Sequence, residues 1–320
     1  MLIVKYLSLL VMLGVLLGSM ALVMLSATPS IAADPTPTAV TFVPLPEPTE
    51  ALVSESDLAD IDLRALPILP DFSANAAFLR SLYLEGKRRA LNDRAFSKVG
   101  DCMTASPNFL VPFGTGSYTL AEYSALQDVI ARFSAPLREN FNAFTHPSLA
   151  AASGFNAASV LDATWSDPTL CGFDESPLAC EYRHVQPAFA LIMFGTNDLK
   201  SLTPSQFDFY LRRVLVETVN RGIIPLVSTF PNQPGFVEQS IFYNRIVARA
   251  AADYNLPLIN IWRAFEPLPF QGIDPKEPTH MTKPEDGDVA SFAPEALLAG
   301  HNLHNLLTLQ ALEALLALLE

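Results

Sequence analysis

Basic residues are scarce in this chain. Its 320 residues hold 20 Lys and Arg against 33 Asp and Glu, a formal charge of −13 at pH 7. A phosphate backbone needs a basic surface, so this balance excludes a nucleic-acid partner. No basic cluster offsets it: Lys87-Arg88-Arg89 falls on a predicted surface helix and reads as a solvated face. Several catalytic signatures are missing as well. No GxGxxG follows a strand-like run and no GxxxxGK[ST] occurs, which removes the common dinucleotide and nucleotide loops. The GxSxG elbow of α/β-hydrolases is absent. Cysteine is rare, with three in all. Cys171 and Cys180 bracket a short acidic loop, CGFDESPLAC, and read as a disulfide in an exported domain. Free thiols or metal ligands are the alternatives, but no histidine pattern accompanies them at zinc spacing. Cys102 is left over.

What is present begins with an apolar run. Tyr6 to Leu25 (YLSLLVMLGVLLGSMALVML) follows a single cation, Lys5, and precedes Ser30-Ile31-Ala32. Residues 1–32 therefore read either as a signal peptide cleaved after small residues or as an uncleaved membrane anchor. Both readings send the rest of the chain across a membrane, so the expected location is extracytoplasmic: secreted, or membrane-anchored facing outward. Residues 33–70 (from ADPTPTAV to ALPILP) are rich in Pro, Thr and acids, and are predicted to form a semi-rigid linker. The expected folded domain is 71–320, roughly 250 residues and compatible with one unit.

Within it, strand-like and helix-like segments alternate, the pattern of a parallel sheet covered on both faces. Ala95–Val99 is a short strand running into Gly100-Asp101-Cys102. The spacing of Leu120, Tyr123, Leu126, Val129 and Ile130 predicts a helix over 119–133. Pro187 to Phe194 (PAFALIMF) is a continuous apolar strand, ending in Gly195-Thr196-Asn197-Asp198. Thr203-Pro204-Ser205-Gln206 is a capping box with Pro at the first helical position, and Gly222 stands where a C-terminal cap belongs. Strands over 223–230 and 257–262 flank a helix over 237–254, and a Leu-rich core helix over about 303–319 closes the chain. The class is α/β: a three-layer α/β/α sandwich with a mostly parallel sheet. Its polar residues gather at strand C-terminal ends, where such sheets place ligands.

Four blocks stand in a particular order: Gly100-Asp101-Cys102, then Gly154 in an Ala/Ser-rich stretch, then Gly195-Thr196-Asn197-Asp198, and late in the chain Glu277-Pro278-Thr279-His280. In this order the chain resembles the SGNH hydrolase (GDSL-like esterase) family, whose blocks are G-D-S, a glycine, G-x-N-D and D-x-x-H. The resemblance implies a flavodoxin-like sheet and ester hydrolysis on acyl or acetyl esters of small molecules, lipids or glycans, with no metal or organic cofactor. It puts Cys102 at the nucleophile's place and His280 at the general base's. It implies an oxyanion hole built from the Cys102 N–H, the Gly154 N–H and the Asn197 side-chain amide. Two departures matter: cysteine replaces the family's serine, and Glu277 stands where the family has aspartate. Asp274, six residues before His280, is the other candidate to orient the imidazole.

Plainer assignments exist for each. Cys102 can be a small buried residue in a site that has lost its chemistry, which gives a second function class: a non-catalytic SGNH-fold module binding a glycan or a protein at the cell surface. His280 can be a surface residue, and Asn197 can simply hold a turn. His301 and His304, one helical turn apart and near Asp286 and Asp288 in the chain, read as a helix start rather than a metal site.

Overall fold

The structure, a computed structural model, describes residues 42–137 and 140–320. The apolar segment and the first part of the Pro/Thr-rich stretch lie outside the described residues.

Four parallel strands form one sheet in the order β1 (Asn92–Gly100), β2 (Pro187–Met193), β3 (Ile224–Ser228), β4 (Leu258–Ile259). Every residue of β2 is buried, as its unbroken apolar run requires of a strand covered on both faces. Pro225 sits in β3, opposite Ala190, one residue into the strand. A single parallel bridge joins Gly100 to Ala151, so the segment around Ala151 runs along the edge of β1 that β2 leaves free. Counting that segment, the spatial order is the flavodoxin-like 2-1-3-4-5, with its switch point between β1 and β2.

Helices cover both faces. The first five are α1 (Ala76–Arg88), α2 (Cys102–Ala105), α3 (Val111–Thr115), α4 (Gln127–Phe133) and α5 (Pro177–Val185). After β2 come α6 (Asp198–Ser201), α7 (Pro204–Asn220), α8 (Val237–Asp253), α9 (Ile261–Phe265) and α10 (Gly300–Leu319). α7 and α8 pack on each other and on β3, while α10 packs on α1, α4 and α9. Phe96 anchors the core on β1, meeting Phe133 and Phe144 edge-on at 5.1 and 5.3 Å. α10 is apolar on almost every side because it is a core helix: Leu309, Leu312 and Leu315 are fully buried.

The capping box behaves as predicted, with Thr203 at the N-cap of α7 and Gly222 left-handed (φ +84°) just past its end. Two segments differ from expectation. Residues 119–123 are not helical: Thr119 bridges Ser291, Ala121 takes φ +49°, and regular helix begins only at Gln127. The last predicted strand stops at Ile259, because the Asn260 side chain accepts from the Arg263 N–H and starts α9.

The linker expectation changes for 42–70. Leu58 and Leu63 are buried against the domain, each 3% exposed. Asn220 accepts from the Leu45 N–H at 2.7 Å and donates to its carbonyl at 2.9 Å, and Asn260 donates to the Leu63 carbonyl at 2.7 Å. The prolines leave only one short 3-10 helix, Glu55–Leu58, and spaced apolar side chains and these amides fasten the segment to the domain. Cys171 and Cys180 are joined, Cα to Cα 5.4 Å.

Candidate active site

β1 delivers Cys102 to the switch point. A Cβ on Gly100 would lie 2.3 Å from the Met193 carbonyl and 2.4 Å from Thr104 Oγ1, so only glycine fits where β1 leaves the sheet. Asp101 caps α2, its carboxylate accepting from the Met103 N–H at 3.0 Å. Cys102 is then the first helical residue, so its N–H has no partner within the helix. The thiol is half-buried and donates to the Thr279 carbonyl at 3.6 Å. Burial first, and the neighbouring Asp101 carboxylate second, push it up to about 12.

The opposite wall is built from two loops. After the Ala151 bridge, Gly154 adopts φ +87° at an exposed position with open space around it, so glycine serves the backbone there. Gly195 (φ +141°) is required for space as well, since a Cβ would meet the Phe230 ring at 2.0 Å. Asn197 Nδ2 donates to the Phe155 carbonyl at 2.8 Å. Its second amide hydrogen and the Gly154 N–H have no hydrogen-bond partner among the described residues. Beneath them lies Asp198, fully buried, accepting from the Ala157 N–H at 2.8 Å and the Gly195 N–H at 2.9 Å. The two segments are thus tied by Asn197 and by Asp198, and again by the Asn156 amide, which donates to Ser201 Oγ at 2.9 Å. Burial raises Asp198 to about 7, with the charge of Asp101 adding and the two amides opposing. Burial likewise raises Asp101 to about 6.

His280 arrives on a turn. Its N–H donates to the Glu277 carbonyl at 2.8 Å, and its Nδ1 lies 2.9 Å from Glu277 Oε2. Both side chains are well exposed, 46% and 68%, so the contact orients the ring more than it binds charge. Asp274 does not reach the imidazole. Its carboxylate accepts from the Lys276 N–H, and its own N–H donates to the His280 carbonyl at 2.9 Å. The turn meets Cys102 through Thr279: among the described residues Cys102 and His280 share no direct hydrogen bond.

The structure therefore gathers Cys102, Gly154, Asn197, Glu277 and His280 at one end of the sheet and leaves Asp274 as a backbone partner of that turn. Asp198, the Thr279 carbonyl and the capping role of Asp101 were not singled out from sequence. For Asp198 the signal was available: an acid directly after Asn197 at the mouth of a fully buried strand. His301 and His304 are core residues. His304 stacks on Phe109, centroids 4.4 Å apart, and His301 Nε2 lies 3.4 Å from the Asn108 amide. Burial lowers them to about 4 for His301 and about 3 for His304.

No family model matches the chain, and no curated protein matches it. Among solved structures it is similar to EstA, a psychrotrophic esterase from Pseudoalteromonas sp., at 14% identity and TM-score 0.44, covering 70% of this chain and 100% of that one. It is similar to TesA at 17% identity and TM-score 0.42, covering 69% and 99%. A third likeness is to a variant of Axe2, an acetyl-xylooligosaccharide esterase from Geobacillus, at 17% identity and TM-score 0.36, covering 51% and 69%.

Proposed function

We propose that this chain is an ester hydrolase of SGNH type that forms an acyl-enzyme on Cys102, with acyl or acetyl esters of small molecules or glycans as substrates. The observation that carries this reading is convergence. The Cys102–Thr279 contact joins the first and last blocks, the Asn197–Phe155 and Asp198–Ala157 contacts join the second and third, and the Gly100–Ala151 bridge and the Thr196–Met103 contact link the two pairs. The Cys102 sulfur attacks the ester carbonyl carbon, and its proton passes to His280, held by Glu277. The developing oxyanion is received by the N–H groups of Cys102 and Gly154 and by the Asn197 amide. As the C–O bond breaks, His280 returns the proton to the leaving alcohol. Water, deprotonated by the same imidazole, then releases the acid and restores the thiol. The N-terminal apolar run and the Cys171–Cys180 disulfide support an extracytoplasmic location, secreted or tethered at a membrane.

A second reading is favoured by one observation: a thiol pushed up to about 12, with its S–H directed at a carbonyl, is a poor resting nucleophile. On that reading the chain is a non-catalytic module of the same fold that binds a glycan or a protein. Hydrolysis of short-chain p-nitrophenyl esters by the full chain, beside Cys102→Ala, Cys102→Ser and His280→Ala, separates the two. Turnover lost in both alanine variants is expected of the hydrolase. An inert wild type whose Cys102→Ser variant gains turnover belongs to the module.

A further inference from the structure

Beside the turn that carries His280 lies a cleft of about 420 Å³, within the size range of small-molecule sites. One wall is the loop after β3, which starts where Phe230 packs on Gly195 and supplies Pro234, with Val237 at the start of α8. The other wall is the segment from Phe270 to Pro275. Its Ile273 bridges Met281 and its Asp274 N–H holds the His280 carbonyl, so the cleft backs directly onto the backbone of the candidate base.

The lining is apolar and uncharged. Its two amides are engaged with protein: Asn232 donates to Gln271 at 3.1 Å and accepts from the Trp262 indole at 2.8 Å. Phe270 is nevertheless 69% exposed and Val237 44%, large apolar side chains turned to solvent on both sides of the cleft. Phe270 and Gln271 also take left-handed backbone in succession, φ +53° and +51°. Non-glycine residues hold such a conformation only where their surroundings fix it, and such strain gathers at ligand sites. Here the Asn232–Gln271 bond fixes it, and the result is an outward Phe270 ring. On its far side, Phe270 borders a larger hollow of about 700 Å³ in which Glu285, Asp286 and Glu295 outnumber Lys283. An anionic group is unwelcome in that direction.

We infer that the cleft between Val237 and Phe270 is the leaving-group subsite and takes the apolar body of an uncharged alcohol. The inference rests on the reading of Cys102 and His280 given above. His280 must return its proton to the departing oxygen, so the alcohol leaves on the His280 side. The carbonyl oxygen faces Gly154 and Asn197 across the site. The cleft adjoins the backbone of the His280 turn and shares no lining residue with the wall that carries Gly154 and Asn197.

The test keeps the acyl group fixed and varies the alcohol. Methyl acetate and benzyl acetate share an acetyl group and differ in apolar bulk, and methyl acetate and methyl hexanoate vary the acyl chain alone. With the full chain, Phe270→Ala is expected to lower kcat/KM for benzyl acetate about tenfold while methyl acetate and the acyl-length ratio stay within about twofold. Val237→Ala, on the facing wall, should move the same ratio in the same direction, and an unchanged melting temperature in both variants excludes misfolding. A Phe270→Ala effect on acyl length, or on neither series, overturns the assignment. Loss of turnover toward every ester already in the wild type is a different result: it removes the hydrolase reading, and this subsite with it.

Discussion

The Cys102 thiol donates to the Thr279 carbonyl at 3.6 Å, so the S–H of the candidate nucleophile is directed at the backbone next to His280 and not at the imidazole. An ion pair between sulfur and imidazole is not the resting state, and the base has to act during the reaction. Cys102 is accordingly expected to behave like a serine, needing general-base help, despite being sulfur.

That arrangement predicts slow alkylation. With the thiol pushed up to about 12 by burial and by Asp101, iodoacetamide should modify Cys102 more slowly than a free cysteine at pH 8. The rate should still be climbing at pH 10. Intact-mass labelling reads it directly, and a fast reaction levelling off near pH 7 would show a thiolate already formed.

Asp198 should prove a positioning residue. Asp198→Asn keeps one acceptor oxygen and loses the second, so either the Ala157 or the Gly195 N–H loses its partner. On the proposed mechanism, a misplaced Asn197 loop is expected to lower kcat about 10- to 100-fold with KM within a few-fold, less than the about 100- to 1,000-fold loss expected of Asn197→Ala. A rise in KM at constant kcat would point to substrate binding instead. The variant has a pH signature too. Folded Asp101 and Asp198 hold protons to about 6 and about 7, against an ordinary 3.8. Their contribution to stability is complete below about pH 4 and is lost as pH rises through 6 and 7. Asp198→Asn should therefore lose less melting temperature than wild type between pH 5 and pH 8.

His301 and His304 act in the opposite direction. Burial holds them neutral down to about pH 4 and about pH 3, while the unfolded chain protonates them near 6.5. Stability is then intact above 6.5 and falls as pH drops, by about 1.4 kcal/mol per pH unit for each imidazole that stays neutral. Replacing His304 with Phe preserves the stack on Phe109 and should flatten the loss between pH 6.5 and pH 4. Melting curves of the two proteins across that range decide it; parallel curves would place the acid sensitivity elsewhere.

Cutting the chain at 71 should be costly. Removing the segment before it strips the buried Leu58 and Leu63, worth about 1.5–3 kcal/mol each, and uncovers Trp262, against which Leu63 packs. A fragment starting at 42 should melt higher than one starting at 71. Equal melting temperatures would restore the free linker expected from composition.

Sequence made the architecture legible wherever a periodicity was complete. PAFALIM had to be a strand buried on both faces, and the Thr203 box with Gly222 set both ends of α7. It misled where a local apolar rhythm was outweighed by one polar side chain or one distant pairing. Asn260 turned a strand into a helix cap, and the Thr119–Ser291 bridge, followed by a turn through left-handed Ala121, replaced the first turn of a predicted helix. The candidate site was legible as an ordered set of short blocks, because each block sits at a strand end that the fold brings to the switch point. The geometry within it was not. The choice between Glu277 and Asp274 depends on a three-residue turn, and the Thr279 carbonyl is a backbone acceptor that no side-chain pattern advertises.

The central claim is a covalent acyl group on Cys102, and rapid acid quench of the full chain with p-nitrophenyl acetate, followed by peptide mapping, tests it most directly. Acetylated Cys102 within the first turnover, absent from Cys102→Ala and slow to form in His280→Ala, is the predicted result. Ester hydrolysis with Cys102 unmodified, or with the acetyl group on another residue, would contradict the account.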